Sequence, residues 1–519
     1  MRRLLLPLVA LMAASPALAG PAANKGHPKV PPPAPMTGHK MPVPPEEPST
    51  PPGAPAAHKG HQSASPVMLS GPVPDKNLFP FAVTEERLPS GLTLLFVPYD
   101  SPGLAAYYTL VRTGSRNEVE PGKSGFAHFF EHMMFRGTEK HPKDDYDQRL
   151  SRAGVSNNAF TTDDFTCYTV FGPSAALPLI VELEADRFQS LKYSREDFQT
   201  EAKAVLGEYN KNFSNPNEKL EEVLRDSAFQ AHTYKHTTIG FEADVKAMPS
   251  MYEYSLEFFK RWYTPDQATI LVVGDFDPAK VKALIAAQYA GWTGKSATIE
   301  IPEEPKQLAG KAVHVTWQNP TQGRLMMGFH TPEARSDAKD AAIQNVLGPY
   351  LFGPTSPTYK DLVLDRQLVT GVDVWYSDHR DPSLFYLLAT LKSDDAFPQV
   401  RETILKVIAE LREGRVDEKR LTDVKSNQKY SLLKGLDNAS SVALQMVFAM
   451  GPTGDPKALN ALFNQMDALT TDDLVKFAKQ HLVETNLTEV TLTGKGGKAP
   501  ANAKEYVPSQ VPAVKGGGK

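Results

Sequence analysis

The sequence predicts an α+β protein made of two tandemly duplicated α/β-sandwich domains. Three observations carry this. First, about 420 of the 519 residues lie between low-complexity ends, too many for one ordinary core. Second, a segment recurs. Phe258-Phe-Lys-Arg-Trp-Tyr-Thr-Pro265 leads into the apolar run Ala268–Gly274, and Phe477-Ala-Lys-Gln-His-Leu482 leads into Leu487–Gly494. The Phe-to-Gly separations are 274 − 258 = 16 and 494 − 477 = 17. Third, both halves open alike, on two strand-like runs each. These are Gly91–Val97 and Ala105–Arg112 in the first half, and Ala312–Trp317 and Arg324–His330 in the second. An N-terminal domain is expected at 76–300 and a C-terminal one at 301–495, linked around Glu300–Gly310.

The ends follow other rules. Residues 1–19 combine Arg2 and Arg3, a short apolar run from Leu4, and Ala17-x-Ala19, the pattern of a cleaved export signal. An exported protein is expected, periplasmic or secreted, as in a Gram-negative bacterium. Residues 20–75 repeat Pro, Ala, Gly and Lys (Pro31-Pro32-Pro33, Pro44-Pro45, Pro51-Pro52) and should form a solvated, extended spacer. Its His27, His39, His58 and His61 allow weak metal scavenging, but a plain spacer explains them better. The Gly/Lys/Ala/Pro-rich tail, 496–519, is expected to be disordered. No run beyond the signal reaches the ~20 apolar residues that span a bilayer. A net charge of −4 argues against nucleic acid as a partner. The single cysteine, Cys167, excludes an intrachain disulfide and reads as a small buried strand residue.

The chemistry lies in Ser124-Gly-Phe-Ala-His-Phe-Phe-Glu-His-Met-Met-Phe-Arg-Gly-Thr138. On a helix, His128 and His132 are one turn apart on one face, so two imidazoles can share a metal ion. Glu131 precedes the second histidine, giving H-x-x-E-H, the inverse of the commoner zinc-protease order. A chance match is expected about 0.02 times in a chain of this length and composition. The surrounding Phe126, Phe129, Phe130, Met133, Met134 and Phe135 predict a buried helix, with Ser124 as N-cap and Gly137 as stop.

Two more helices are expected, at Leu177–Leu191 and Asp197–Asn212. On the second, Glu201, Ala204, Val205 and Glu208 fall on one face, and acids on an inward face need a cation. A catalytic zinc takes three protein ligands and keeps one position open. Either Glu201 or Glu208 suits the third place, and spacing alone does not choose between them.

With these residues the sequence resembles the pitrilysin/insulinase-like metallopeptidases, which include the mitochondrial processing peptidase. The resemblance covers about residues 80–495. In that family a ligand Glu follows the motif by about 76 residues, and here 208 − 132 = 76. The resemblance therefore implies one Zn2+ per chain on His128, His132 and Glu208. It implies Glu131 as general base and Glu201 as an acid supporting the site. The family's Gly-x-x-Asn-Ala-x-Thr stretch is similar to Gly154–Thr161. It implies a sheet edge at Asn158, Ala159 and Phe160 to which a peptide substrate adds as a strand. Further matches are His232-Thr-Tyr234 with Gly240, and Tyr263-Thr-Pro265 with Gly274-Asp275. The implied activity is zinc-dependent endopeptidase cleavage of peptides or unfolded segments.

The second half departs from the family. Active relatives carry an Arg and, seven residues on, a Tyr that touch substrate. Here Val363 and Thr370 occupy those slots, and Arg366 and Tyr376 are out of register. The resemblance then implies a homodimer, or a heterodimer with a related chain supplying the Arg and Tyr. A partner-dependent or non-catalytic peptide-binding subunit is the alternative reading.

Overall fold

Two six-stranded sheets organise residues 79–509, the part of the chain that the computed structural model describes. The first contains β1 (Thr84–Arg87), β2 (Thr93–Pro98), β3 (Leu104–Val111), β4 (Ser156–Thr161), β5 (Thr166–Pro173) and β6 (Ala268–Gly274). Their order is β1-β2-β6-β3-β5-β4, with only β2 and β6 parallel. The second contains β7 (Lys311–Trp317), β8 (Arg324–Thr331), β9 (Val369–Tyr376), β10 (Ser383–Leu391), β11 (Leu487–Gly494) and β12 (Lys504–Glu505). Their order is β12-β7-β11-β8-β10-β9. Strand for strand, β2-β6-β3-β5-β4 repeats as β7-β11-β8-β10-β9. The duplication read from the Phe-to-Gly spacing is therefore a duplication of topology. Part of the recurring Gly has a steric cause. At Gly274 φ is +133°, and an added Cβ would lie 2.4 Å from the Leu104 carbonyl oxygen.

Continuous apolar runs such as Leu271-Val272-Val273 mean that both faces of a sheet are covered. Leu94, Phe96, Tyr107, Ile270 and Val272 face the helices of the first half. Leu95, Val97, Tyr108, Leu271 and Val273 face the opposite way, onto Val442, Met446 and Val447 of helix Ala439–Thr453, which comes from the second half. The exchange is reciprocal. Leu220, Val223 and Leu224 of helix Pro216–Ala228, from the first half, cover Met326, Leu384 and Val490 of the second sheet. Residues 293–308 hold neither helix nor strand. The chain thus passes from one half to the other there, while each half keeps a helix on the other's sheet. Polar contacts reinforce this. Asp381 takes Arg116 and His232, and His379 meets Asp164 at 3.1 Å.

Three local expectations are corrected. Helix Phe126–Met133 is not capped by Ser124. Its N-cap is Gly125 at φ +92°, where a Cβ would strike the Ile239 carbonyl at 2.4 Å. The helix instead starts on the buried Glu118 carboxyl group, which accepts from the backbone N–H of Gly125 (2.7 Å) and Ala127 (2.6 Å). Ser124 is occupied with Asp244 at 2.6 Å. The helix also stops at Met133, short of Gly137, which turns the chain further on. Second, Ala204 is exposed, although Glu201 and Val205 beside it are buried. Third, the described residues of the tail, 496–509, include a strand. Lys504–Glu505 extends the second sheet beside β7, and Tyr506 and Ser509 bond Asp226. Composition misses this because a strand edge recruits main chain, whatever the side chains are. The export signal at 1–19 and the spacer at 20–75 lie outside the described residues.

Candidate metal centre

Helix Phe126–Met133 packs its apolar side into an aromatic layer. Phe130 stacks on Phe258 at 5.2 Å, and Phe126 meets Tyr254 edge-on at 4.7 Å. That packing turns His128 and His132 to one side, with ring centroids 4.8 Å apart. Helix Arg195–Asn212 lies against them, started by a capping box in which Ser194 and Asp197 bond each other's backbone. Its Glu208 carboxylate stands 3.6 Å from His128 Nε2 and 3.4 Å from His132 Nε2. One ligand atom each from His128, His132 and Glu208 lies within 4.8 Å of the others, the one such group of three among the described residues. Two ligands at 2.0–2.1 Å in a tetrahedron are about 3.3 Å apart. The donor set and its spacing therefore fit a zinc ion.

The charge states agree. Burial pushes His128 down to about 4, and the neighbouring His132 adds to this, so the ring is neutral and its lone pair free to ligate. Burial alone would raise Glu208; the two imidazoles outweigh it and hold the carboxylate at about 2. His132 Nδ1 faces Glu201 Oε1 at 2.8 Å, and Arg136 holds the other Glu201 oxygen. Glu201 is thus a buried acid behind the ring, not a third member of the ligand group. Carboxylates placed this way fix a ligating imidazole's orientation and tautomer.

Glu131 is also buried but stands outside the convergent group. Burial raises its pKa, and a hydrogen bond from Thr161 Oγ1 to Oε2 at 2.7 Å counters this in part. Thr161 ends β4, the outermost strand of its sheet. On the same strand Asn158 is exposed, Ala159 is buried, and the Phe160 ring stacks on Phe448 at 5.2 Å. Phe160 therefore offers only its main chain at the edge.

Three residues in this arrangement escaped the sequence reading. Glu118 anchors the helix from outside the motif. Arg136 lies four residues past His132 but beyond the helix end at Met133, so helical spacing does not announce it. Thr161 lies inside the Gly154–Thr161 stretch, which carries no sign of this role. In the second half, Val363 lies in a short wide turn, Lys360–Asp365, and Thr370 is exposed on β9. Arg366 bonds Asp361 and Thr403 on the surface, and Tyr376 packs on the core.

The insulinase family (Peptidase family M16) matches residues 103–241, and the Peptidase M16 inactive domain matches residues 251–428. The chain belongs to the insulinase-like M16 family. Among relatives, a zinc protease PqqE of Helicobacter pylori is 27% identical over 78% of this chain and 91% of that protein. A zinc protease YmxG of Bacillus subtilis is 24% identical over 72% of this chain and 89% of that one. The crystal structure of a protease from Helicobacter pylori matches with a TM-score of 0.75 at 26% identity, covering 80% of this chain and 99% of that one. The periplasmic protease PqqL from Escherichia coli shares the fold (TM-score 0.65, 17% identity). The match spans 81% of this chain and 49% of PqqL. The M16 fold is thus the two-sheet arrangement described above. The relatives' names support a zinc-dependent, peptidase-like function.

Proposed function

We propose that this chain is an exported zinc metalloendopeptidase that cleaves peptides or unfolded protein segments. One observation carries the reading: two imidazole nitrogens and one carboxylate converge at metal-ligand spacing, and the buried Glu131 carboxylate stands beside them. His128, His132 and Glu208 would hold one zinc, and Glu201 would orient His132. Bound zinc supplies a Lewis acid that lowers the pKa of water towards about 7. Glu131 does the proton work. With Oε2 held by Thr161, Oε1 receives the proton as the water oxygen adds to the peptide carbonyl carbon. Glu131 then passes that proton to the amide nitrogen as the C–N bond breaks. Its burial favours this, because a raised pKa makes it a stronger base. The main chain of Asn158, Ala159 and Phe160 would pair with the peptide at the sheet edge.

The test is Glu131→Gln. Zinc content should stay at one per chain while cleavage falls by about 10²–10⁴-fold; retained turnover would overturn the assignment.

A second reading is favoured by Val363 and Thr370 in the Arg and Tyr slots. In it, this chain completes its site only with a related chain. One relative is named a probable mitochondrial-processing peptidase subunit beta, from Arabidopsis thaliana, at 22% identity over 77% of this chain and 76% of that protein. This reading predicts low activity for the purified chain and recovery on adding a related chain with the Arg and Tyr. Full activity of the monomer or homodimer would overturn it. Export rests on residues 1–19, and N-terminal sequencing of the mature protein tests it.

A further inference from the structure

Strand β4 has two neighbours that the proposed reaction joins. Its outer edge is where a peptide would pair, and its last residue touches the proposed base. Thr161 Oγ1 donates to Glu131 Oε2 at 2.7 Å, across thirty residues of chain. The strand end is held on several sides. The β5 register sets Ala159 opposite Tyr168, Phe160 opposite Cys167 and Thr161 opposite Thr166. Beyond the strand, Thr162 Oγ1 donates to the Phe165 carbonyl at 3.0 Å and accepts from the Phe165 N–H at 3.1 Å, closing a tight turn. Behind the sheet, Phe160 and Phe165 both pack on Phe448, at 5.2 and 6.1 Å. Phe448 belongs to the helix Ala439–Thr453 that the second half lends to the first sheet. A buried glutamate has three side-chain torsions to fix, and Thr161 meets its carboxylate with both its hydroxyl and its backbone.

The geometry points to Thr161 as the positioning residue of the general base. Its hydroxyl fixes one Glu131 oxygen and so presents the other to the water. Because Thr161 terminates the edge strand, the base and a peptide paired on that edge share one rigid element. The second half, without the family's Arg and Tyr, still acts on the site by bracing this strand through Phe448. The inference rests on the peptidase reading above.

The test compares Thr161→Val, nearly isosteric, with Thr161→Ser, which keeps the hydroxyl. Wild type and Glu131→Gln are run first; loss of cleavage in Glu131→Gln secures the peptidase reading independently. Thr161→Val should then lose about 10- to 100-fold in kcat, as expected for a misplaced reacting group. KM and zinc content should not change. Thr161→Ser should recover to within about threefold of wild type. In the Glu131→Gln background, Thr161→Val should cause no further loss, because a residue that acts through Glu131 has nothing left to position. The proposal is overturned if Thr161→Val loses the same factor in that background, or if Ser fares no better than Val. A crystal structure of Thr161→Val with the Glu131 carboxylate unmoved overturns it too, whether or not the chain cleaves peptides.

Discussion

Replacing Glu201 with alanine isolates the support of a ligand from ligation itself. In the structure Glu201 Oε1 faces His132 Nδ1 at 2.8 Å, and its other oxygen holds Arg136. The variant removes one charge-assisted hydrogen bond to the imidazole, worth about 1.5–3 kcal/mol. It also frees the Arg136 guanidinium beside the proposed metal site. A loss of about 1.4–2.7 kcal/mol corresponds to 10- to 100-fold in metal affinity, the range seen for partners behind metal ligands. Glu201→Gln should lose less, because the amide oxygen can still accept from Nδ1–H. The assay is zinc affinity by chelator competition, run beside Glu208→Ala, which removes a proposed ligand and should lose far more. If Glu201→Ala binds zinc within twofold of wild type, Glu201 does not orient His132. If it matches Glu208→Ala, Glu201 is itself a ligand, and the assignment of these two acids is wrong.

Other outcomes follow from the same structure. Burial holds His128 neutral, lowering it from 6.5 to about 4, with His132 adding to the effect. Between pH 6.5 and 4 the unfolded chain takes up a proton there that the folded chain refuses, so the metal-free protein loses stability on acidification. Glu208, held from 4.5 down to about 2, has the same sign: its stabilisation is present above pH 4.5 and lost as pH falls towards 2. Melting temperatures of the metal-free protein should fall from pH 7 to pH 4, and His128→Gln should flatten that fall; an unchanged slope refutes the argument. Ending the chain at Ala503 removes β12 and the Tyr506 and Ser509 bonds to Asp226, leaving that carboxylate with Lys235 at 3.3 Å. Unfolding free energy should drop by about 1–3 kcal/mol, and an unmoved urea midpoint would contradict it. Glu118→Ala strands two backbone N–H groups at the start of the motif helix. It should cost about 2–6 kcal/mol in urea unfolding; a loss below 1 kcal/mol would show that water replaces the carboxylate.

Part of this protein was legible in its sequence because it is written in short periods. The i, i+4 spacing of His128 and His132 needs only a helix. The apolar runs of β3, β6, β8 and β11 need only a strand covered on both faces. The recurrence at 258–274 and 477–494 exposed the duplication because both copies answer to the same packing. Resemblance to a family then separated Glu208 from Glu201, which helix periodicity leaves equivalent.

Tertiary structure alone decided what depends on groups distant in the chain or on the main chain. The exchange of helices 216–228 and 439–453 between the halves is invisible to periodicity, since an apolar stripe does not say which sheet it will cover. Glu118 caps a helix from outside it, so no local S/T-x-x-E pattern announces it. Lys504–Glu505 became a strand because an open sheet edge supplied hydrogen-bond partners that its composition does not encode. Glu201 and Thr161 meet His132 and Glu131 across 69 and 30 residues. Sequence spacing names the atoms able to do the chemistry, but only the folded chain sets the distances at which they can do it.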